Sequence, residues 1–81
     1  MTDQVSRGDA DAYYVRGVAE LAAGDPKAAA ESLRRALYLH PTFALAAFKL
    51  GRAYDVLGNA DEARRAYARA ERLTELERSP T

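Results

Sequence analysis

Two segments of the chain, "GVAELAAGDPKAAAESL" from Gly17 to Leu33 and "GRAYDVLGNADEARRAY" from Gly51 to Tyr67, lie 34 residues apart. Each carries a helix-breaking glycine seven residues after its first glycine. Gly24 suits the left-handed position after a helix C-terminus, Asp25 can cap the next helix, and Pro26 sits in a first turn that needs no amide donor. Gly58 and Asn59 repeat the arrangement, with Glu62 placed for an approximate capping box. A third break, "LHPT", ends a helix before Pro41 and offers Thr42 as the next cap. The breaks divide the chain into helices at about 10–23, 26–39, 43–57 and 60–76.

At the same offset, Ala10 matches Ala44, Ala12 matches Ala46, Ala19 matches Ala53, and Ala29 matches Ala63. Arg35, Ala36 and Leu39 match Arg69, Ala70 and Leu73, and Leu33 answers Tyr67 as a large apolar residue. Alanine matches alone would mean little in so alanine-rich a chain. Two glycine pairs with identical breaks mean an internal repeat. Small residues at these places serve helix–helix approach: Gly17 with Ala29 and Gly51 with Ala63 inside each repeat, Ala36 and Ala70 between repeats, with Leu33 and Tyr67 filling wider gaps.

Composition bounds the rest. The 81 residues allow one small domain, close to the lower limit for a self-sufficient core. Helix formers dominate and β-branched residues are few. Zero formal net charge supplies no field to gather nucleic acid or an anionic membrane. Arg34, Arg35, Arg64, Arg65, Arg69 and Arg72 are diluted by Glu31, Asp61, Glu62 and Glu71, which reads as a solvated outer face, with neither nucleic acid nor membrane as a partner. Absence of cysteine excludes disulfides and thiolate metal sites. The N-terminal stretch lacks the apolar segment of a signal peptide, so the cytoplasm is the expected location. His40, alone at a helix end, has no partners for catalysis or metal binding, and a helix C-terminus favours a cation there. No enzyme and no cofactor are expected.

A 34-residue helix–turn–helix with this spacing resembles the tetratricopeptide repeat family. The signature positions are Gly17, Gly24, Ala29, Ala36 and Pro41 in one repeat, and Gly51, Tyr54, Gly58, Ala63, Tyr67 and Ala70 in the other. The resemblance implies an all-α fold of two tandem repeats, 10–43 and 44–77, in a right-handed superhelical stack, with tails at 1–9 and 78–81. It departs from the family where Arg16 and Glu20 stand for a large apolar residue and a tyrosine. Spaced four apart, those two can pair on a solvated helix face.

The resemblance also implies a concave groove built from the first helix of each repeat. One stripe of the third helix, Ala47, Leu50, Gly51 and Tyr54, packs against its own repeat. The other, Leu45, Phe48, Arg52 and Val56, lies largely opposite. Tyr14, Val18, Leu21, Leu45, Phe48, Arg52 and Asp55 are therefore the expected groove residues, with part of Val18 and Leu21 consumed between first helices. An exposed apolar cluster of this kind marks an interaction surface, so the expected partner is a protein or peptide. Self-association into a homo-oligomer through the same surfaces is the alternative, since stacks shorter than about three repeats are marginal alone.

A narrower resemblance lies in "RALYLHPTFALAAFKLG", Arg35 to Gly51. It is similar to "KALYLDPxFALAHFxLG" in the C-terminal repeats of chemotaxis-type receptor methyltransferases. That likeness implies an accessory module whose partner is a methyltransferase catalytic domain or another chemosensory component. His40 and Ala47 depart from the pattern, so neither receives a role from it.

Overall fold

The computed structural model describes residues 2–78, with side chains from Gly8 onward. It contains four helices: α1 (Thr2–Ala22), α2 (Pro26–Leu39), α3 (Ala44–Leu57) and α4 (Ala60–Arg78). Helix α1 packs on α2, α3 on α4, and α2 on α3, while α1 and α3 barely meet. That pattern is two antiparallel hairpins stacked through the second helix of the first. The stack measures 36 × 26 × 16 Å.

The breaks have the chemistry expected of them. Gly24 and Gly58 take φ of 85° and 81°, the left-handed region open to glycine without steric cost. Asp25 caps α2, its carboxylate accepting from the Ala28 amide at 3.2 Å. Two ends differ from expectation. The residue before α3 is Phe43, with no side-chain cap, so Thr42 does not serve there. Helix α1 begins at Thr2 rather than near Ala10, so the segment expected as a tail is helical from Thr2, Met1 lying outside the described residues. No proline interrupts residues 2–22, and Gly8 weakens a helix without ending it. At the other end α4 reaches Arg78, and the rest of the expected 78–81 tail lies outside the described residues.

The core is mostly alanine. Ala29, Ala36, Ala46, Ala47 and Ala53 are fully buried, and Leu33 is the largest side chain wholly removed from solvent. Little apolar bulk fills the interior, so contact depends on the helices coming close together. The repeat glycines set that approach. A Cβ on Gly17 would stand 2.7 Å from Leu33 Cγ, and one on Gly51 would stand 2.7 Å from Cδ1 and Cε1 of Tyr67. Leu33 and Tyr67 therefore do not fill gaps beside the glycines; they lie directly over them.

The departures at Arg16 and Glu20 are built into the first hairpin. Glu20 Oε2 accepts from Arg16 Nε at 3.3 Å, and its Oε1 accepts from Ser32 Oγ at 2.7 Å. Ser32 is buried, and its counterpart in the second repeat is buried Ala66, just as Tyr54 is the counterpart of Glu20. A polar pair thus replaces an apolar pair at one place in the fold, leaving Ser32 satisfied.

These contacts separate the glycines experimentally. Gly8→Ala meets open space and is expected to raise stability by about 0.5–1 kcal/mol through helix propensity. Gly17→Ala drives a methyl group into Leu33, and overpacking of about 1–3 kcal/mol outweighs that gain. Thermal unfolding followed by circular dichroism should show Gly8→Ala melting a few degrees higher and Gly17→Ala lower. The same sign for both would refute the close-approach account.

Candidate functional site

Helix α3 is apolar nearly all round because it has two tasks. Ala46, Ala47, Leu50, Gly51 and Ala53 are buried in the stack. On the other side Leu45 is 58% and Phe48 42% exposed, and Val56, Arg52 and Asp55 are exposed with them. The α1 members of the expected groove are different. Tyr14, Val18 and Leu21 are half-buried, Tyr14 and Leu21 pack against the core, and the Tyr14 ring lies 5.0 Å from that of Phe43. They belong as much to the joint between repeats as to any open surface.

Leu45 and Phe48 line a shallow concavity of about 630 Å³ between α3 and α4. Its floor continues through Ala44, Tyr67 and Ala70, and its α4 side carries Glu71, Thr74 and Glu77. Tyr14, Val18, Leu21, Arg52 and Asp55 do not line it. Ala44, Glu71, Thr74 and Glu77 are not among the expected groove residues, and Tyr67 and Ala70 are expected only in the repeat signature. A signal for them existed in the repeat offset: mismatched pairs, Leu37 against Glu71 above all, mark where the second repeat departs from a packed interface.

Tyr67 connects the concavity to the α3 stripe. Its ring lies over Gly51 and 5.6 Å from the Phe48 ring, and its hydroxyl donates to Asp55 Oδ2 at 2.8 Å. Asp55, one of the expected groove residues, is thus engaged in holding Tyr67. The Tyr67 phenol is pushed above its ordinary value, first by burial, then by its bond to the Asp55 carboxylate and that group's charge, with Arg52 pulling the other way.

Several arginines are occupied locally. Arg64 pairs with Asp61 and Arg65 with Glu62, Arg34 donates to the Tyr54 hydroxyl at 3.2 Å, and Arg69 donates to the Pro41 carbonyl at 3.1 Å. Arg35 sits 5.7 Å above the centre of the Tyr13 ring. His40, at the end of α2, stacks beside Phe43 at 5.0 Å between ring centroids. No helix among the described residues is long and apolar enough to cross a membrane.

Stacked helical hairpins with small residues at the crossing points define a helical-repeat protein. The tetratricopeptide repeat family matches residues 20–75, well over half of the chain, and the chain belongs to that family. Its structure is also similar to the crystal structure of MamA, with a TM-score of 0.80 and 31% identity over 84% of this chain and 40% of that one. The chain thus spans well under half the length of MamA. No curated protein sequence matches it.

The Tyr67–Asp55 contact has a readable consequence. The folded chain holds the Tyr67 proton to higher pH than the unfolded chain, so the contribution of this group to stability is complete below about pH 10 and is lost as pH rises through the Tyr67 titration. Phenolate absorbance of the native chain, compared with Tyr67→Phe, should show a late-titrating tyrosine. Asp55→Asn should bring that titration down toward the ordinary value. An unchanged titration in Asp55→Asn would contradict the part assigned to the carboxylate and leave burial as the whole cause.

Proposed function

We propose that this chain is a non-catalytic module that binds a protein or peptide partner on the surface where Leu45 and Phe48 stand exposed. Repeats of this family generally mediate protein–protein interaction, which supports this reading. The observation that carries the proposal is the placement of two large apolar side chains side by side over a concavity whose floor is also apolar. Covering the exposed part of each against a partner contributes on the order of 1 kcal/mol, and their shared floor makes the patch a natural centre for an interface. Val56 and Arg52 extend the same stripe of α3 and would form its edge.

The chemosensory assignment rests on the stretch Arg35–Gly51, and binding to a receptor-methyltransferase catalytic domain is its direct test. Self-association through the same patch is tested by sedimentation across a concentration series. A chain that stays monomeric at high concentration removes it.

Two substitutions separate binding from folding. Phe48→Asp removes a ring that also touches Tyr67, so some loss of stability accompanies it. Leu45→Asp does not carry that burden, because an acid in the first turn of a helix is favourable. Both variants should lose the partners that the native chain captures, with Leu45→Asp melting at or near the native temperature. Undiminished capture by a folded Leu45→Asp chain would refute the site.

A further inference from the structure

The repeat itself says what the concavity is shaped to hold. In the first repeat Phe43, just ahead of α3, rests against Tyr14 and His40, with centroids 5.0 Å from each. Moved along by 34 residues, Tyr14 and His40 become Phe48 and Thr74, and both line the concavity. Buried Ala10, Leu33, Ala36 and Leu37 become Ala44, Tyr67, Ala70 and Glu71, which line it too. The concavity is therefore the second repeat's copy of the seat that receives Phe43 and the start of α3. The counterpart of Phe43 is Glu77, which α4 carries straight past the seat, because Glu75 stands where Pro41 breaks the first repeat.

Charge distinguishes this seat from its copy. Leu37, 4% exposed beneath the second repeat, is replaced by Glu71, and Glu77 joins it beside the opening. Elsewhere on α4 the acids Asp61, Glu62 and Glu75 pair with Arg64, Arg65 and Arg78. Among the described residues, Glu71 and Glu77 have no such partner, and no basic side chain lines the concavity. An uncharged helix docking here would strip water from Glu71, whose basic neighbours Arg69 and Arg72 line the next hollow along α4, and would bring no opposite charge to it. A basic one would supply the missing partner, and the positive end of its dipole would arrive beside the two carboxylates.

We propose that the seat receives a helix of a cationic partner protein. That helix places a large apolar side chain where Phe43 sits in the first repeat, and lysine or arginine a turn further on, facing Glu71 and Glu77. The proposal rests on the reading of Leu45 and Phe48 as a partner surface and adds the partner's chemistry to it.

Helix α3 supplies the probe, since it fills the equivalent seat. Leu37 shares a cleft with Ala47 and Leu50, so the α3 position that would meet Glu71 is that of Ala47. Two fluorescent peptides of the sequence Pro41–Gly58 are titrated into the intact chain, one with Ala47→Lys and one with Ala47→Glu. Neither change suits the native α3 position, where Ala47 is fully buried, which disfavours exchange of the peptide for α3. The Lys peptide should bind at least about tenfold more tightly than the Glu peptide, and the difference should shrink as salt rises. The double variant Glu71→Lys/Glu77→Lys should reverse the preference, and Phe48→Asp and Leu45→Asp should each abolish binding of both. Equal affinities that still require Phe48 would overturn the charge chemistry while leaving the partner surface intact. Binding that survives both Phe48→Asp and Leu45→Asp would remove the seat itself. No binding of the Lys peptide would overturn the proposal, as would a native dimer that Phe48→Asp converts to monomer, because a second copy would then occupy the seat.

Discussion

Leu33 lies with its Cγ where a side chain on Gly17 would have to begin, and Tyr67 occupies the same place over Gly51. Every other feature of the stack depends on those two contacts. The core is made of alanines, which bury little area each, so packing density comes from backbone approach rather than from interlocking large side chains. One methyl group at either crossing point would push the helices apart and open the alanine contacts along their length. The left-handed turns at Gly24 and Gly58 then bring each second helix back at the position where that crossing can occur.

The two hairpins share this frame and differ in what they do with it. In the first, Glu20 and Ser32 turn a tyrosine–alanine contact into a hydrogen bond, and Arg16 completes it on the outside. In the second, the positions of Ala30 and Leu37 are taken by exposed Arg64 and Glu71. Apolar contact thus runs through the middle of the stack, where α2 meets α3, and gives way to polar groups on the outer faces of both hairpins. Outside the middle, large apolar side chains such as Val15, Tyr38 and Leu76 also stand exposed, whereas Leu45 and Phe48 share one apolar floor. Tyr67 belongs to both regions: its ring covers Gly51, its edge borders Phe48, and its hydroxyl is held by Asp55. A partner at the concavity would therefore press directly on a residue that holds the second hairpin together.

Much of the fold was legible in the sequence because its determinants are local. Left-handed glycines, a proline in a first turn and a capping aspartate each constrain a few neighbouring residues, and their recurrence after 34 residues exposes the repeat. Helix α1 starts earlier than its punctuation suggests because a helix can continue wherever nothing stops it, and polar residues with one glycine do not stop it. The site was only partly legible. Helical spacing predicts Leu45 and Phe48 opposite the face of α3 that packs on its own hairpin; both are exposed, but they border α4, and the Phe48 ring lies 5.6 Å from that of Tyr67. It also groups them with Tyr14, the counterpart of Phe48, and with Leu21, the counterpart of Asp55, and both of these are half-buried.

That difference marks the boundary between sequence and tertiary structure for this protein. By itself the sequence determined the period, the four helices, the turns and the places where helices come close, since these follow from backbone sterics and from side-chain size at fixed intervals. Only the tertiary structure decided which apolar residues are covered. Tyr14 lies beneath Phe43 because a second repeat follows it and folds back against it. Phe48, its counterpart 34 residues on, looks into a concavity because α4 runs straight where α2 ends. Burial belongs to pairs of residues brought together by folding, and a helical pattern records only one member of each pair.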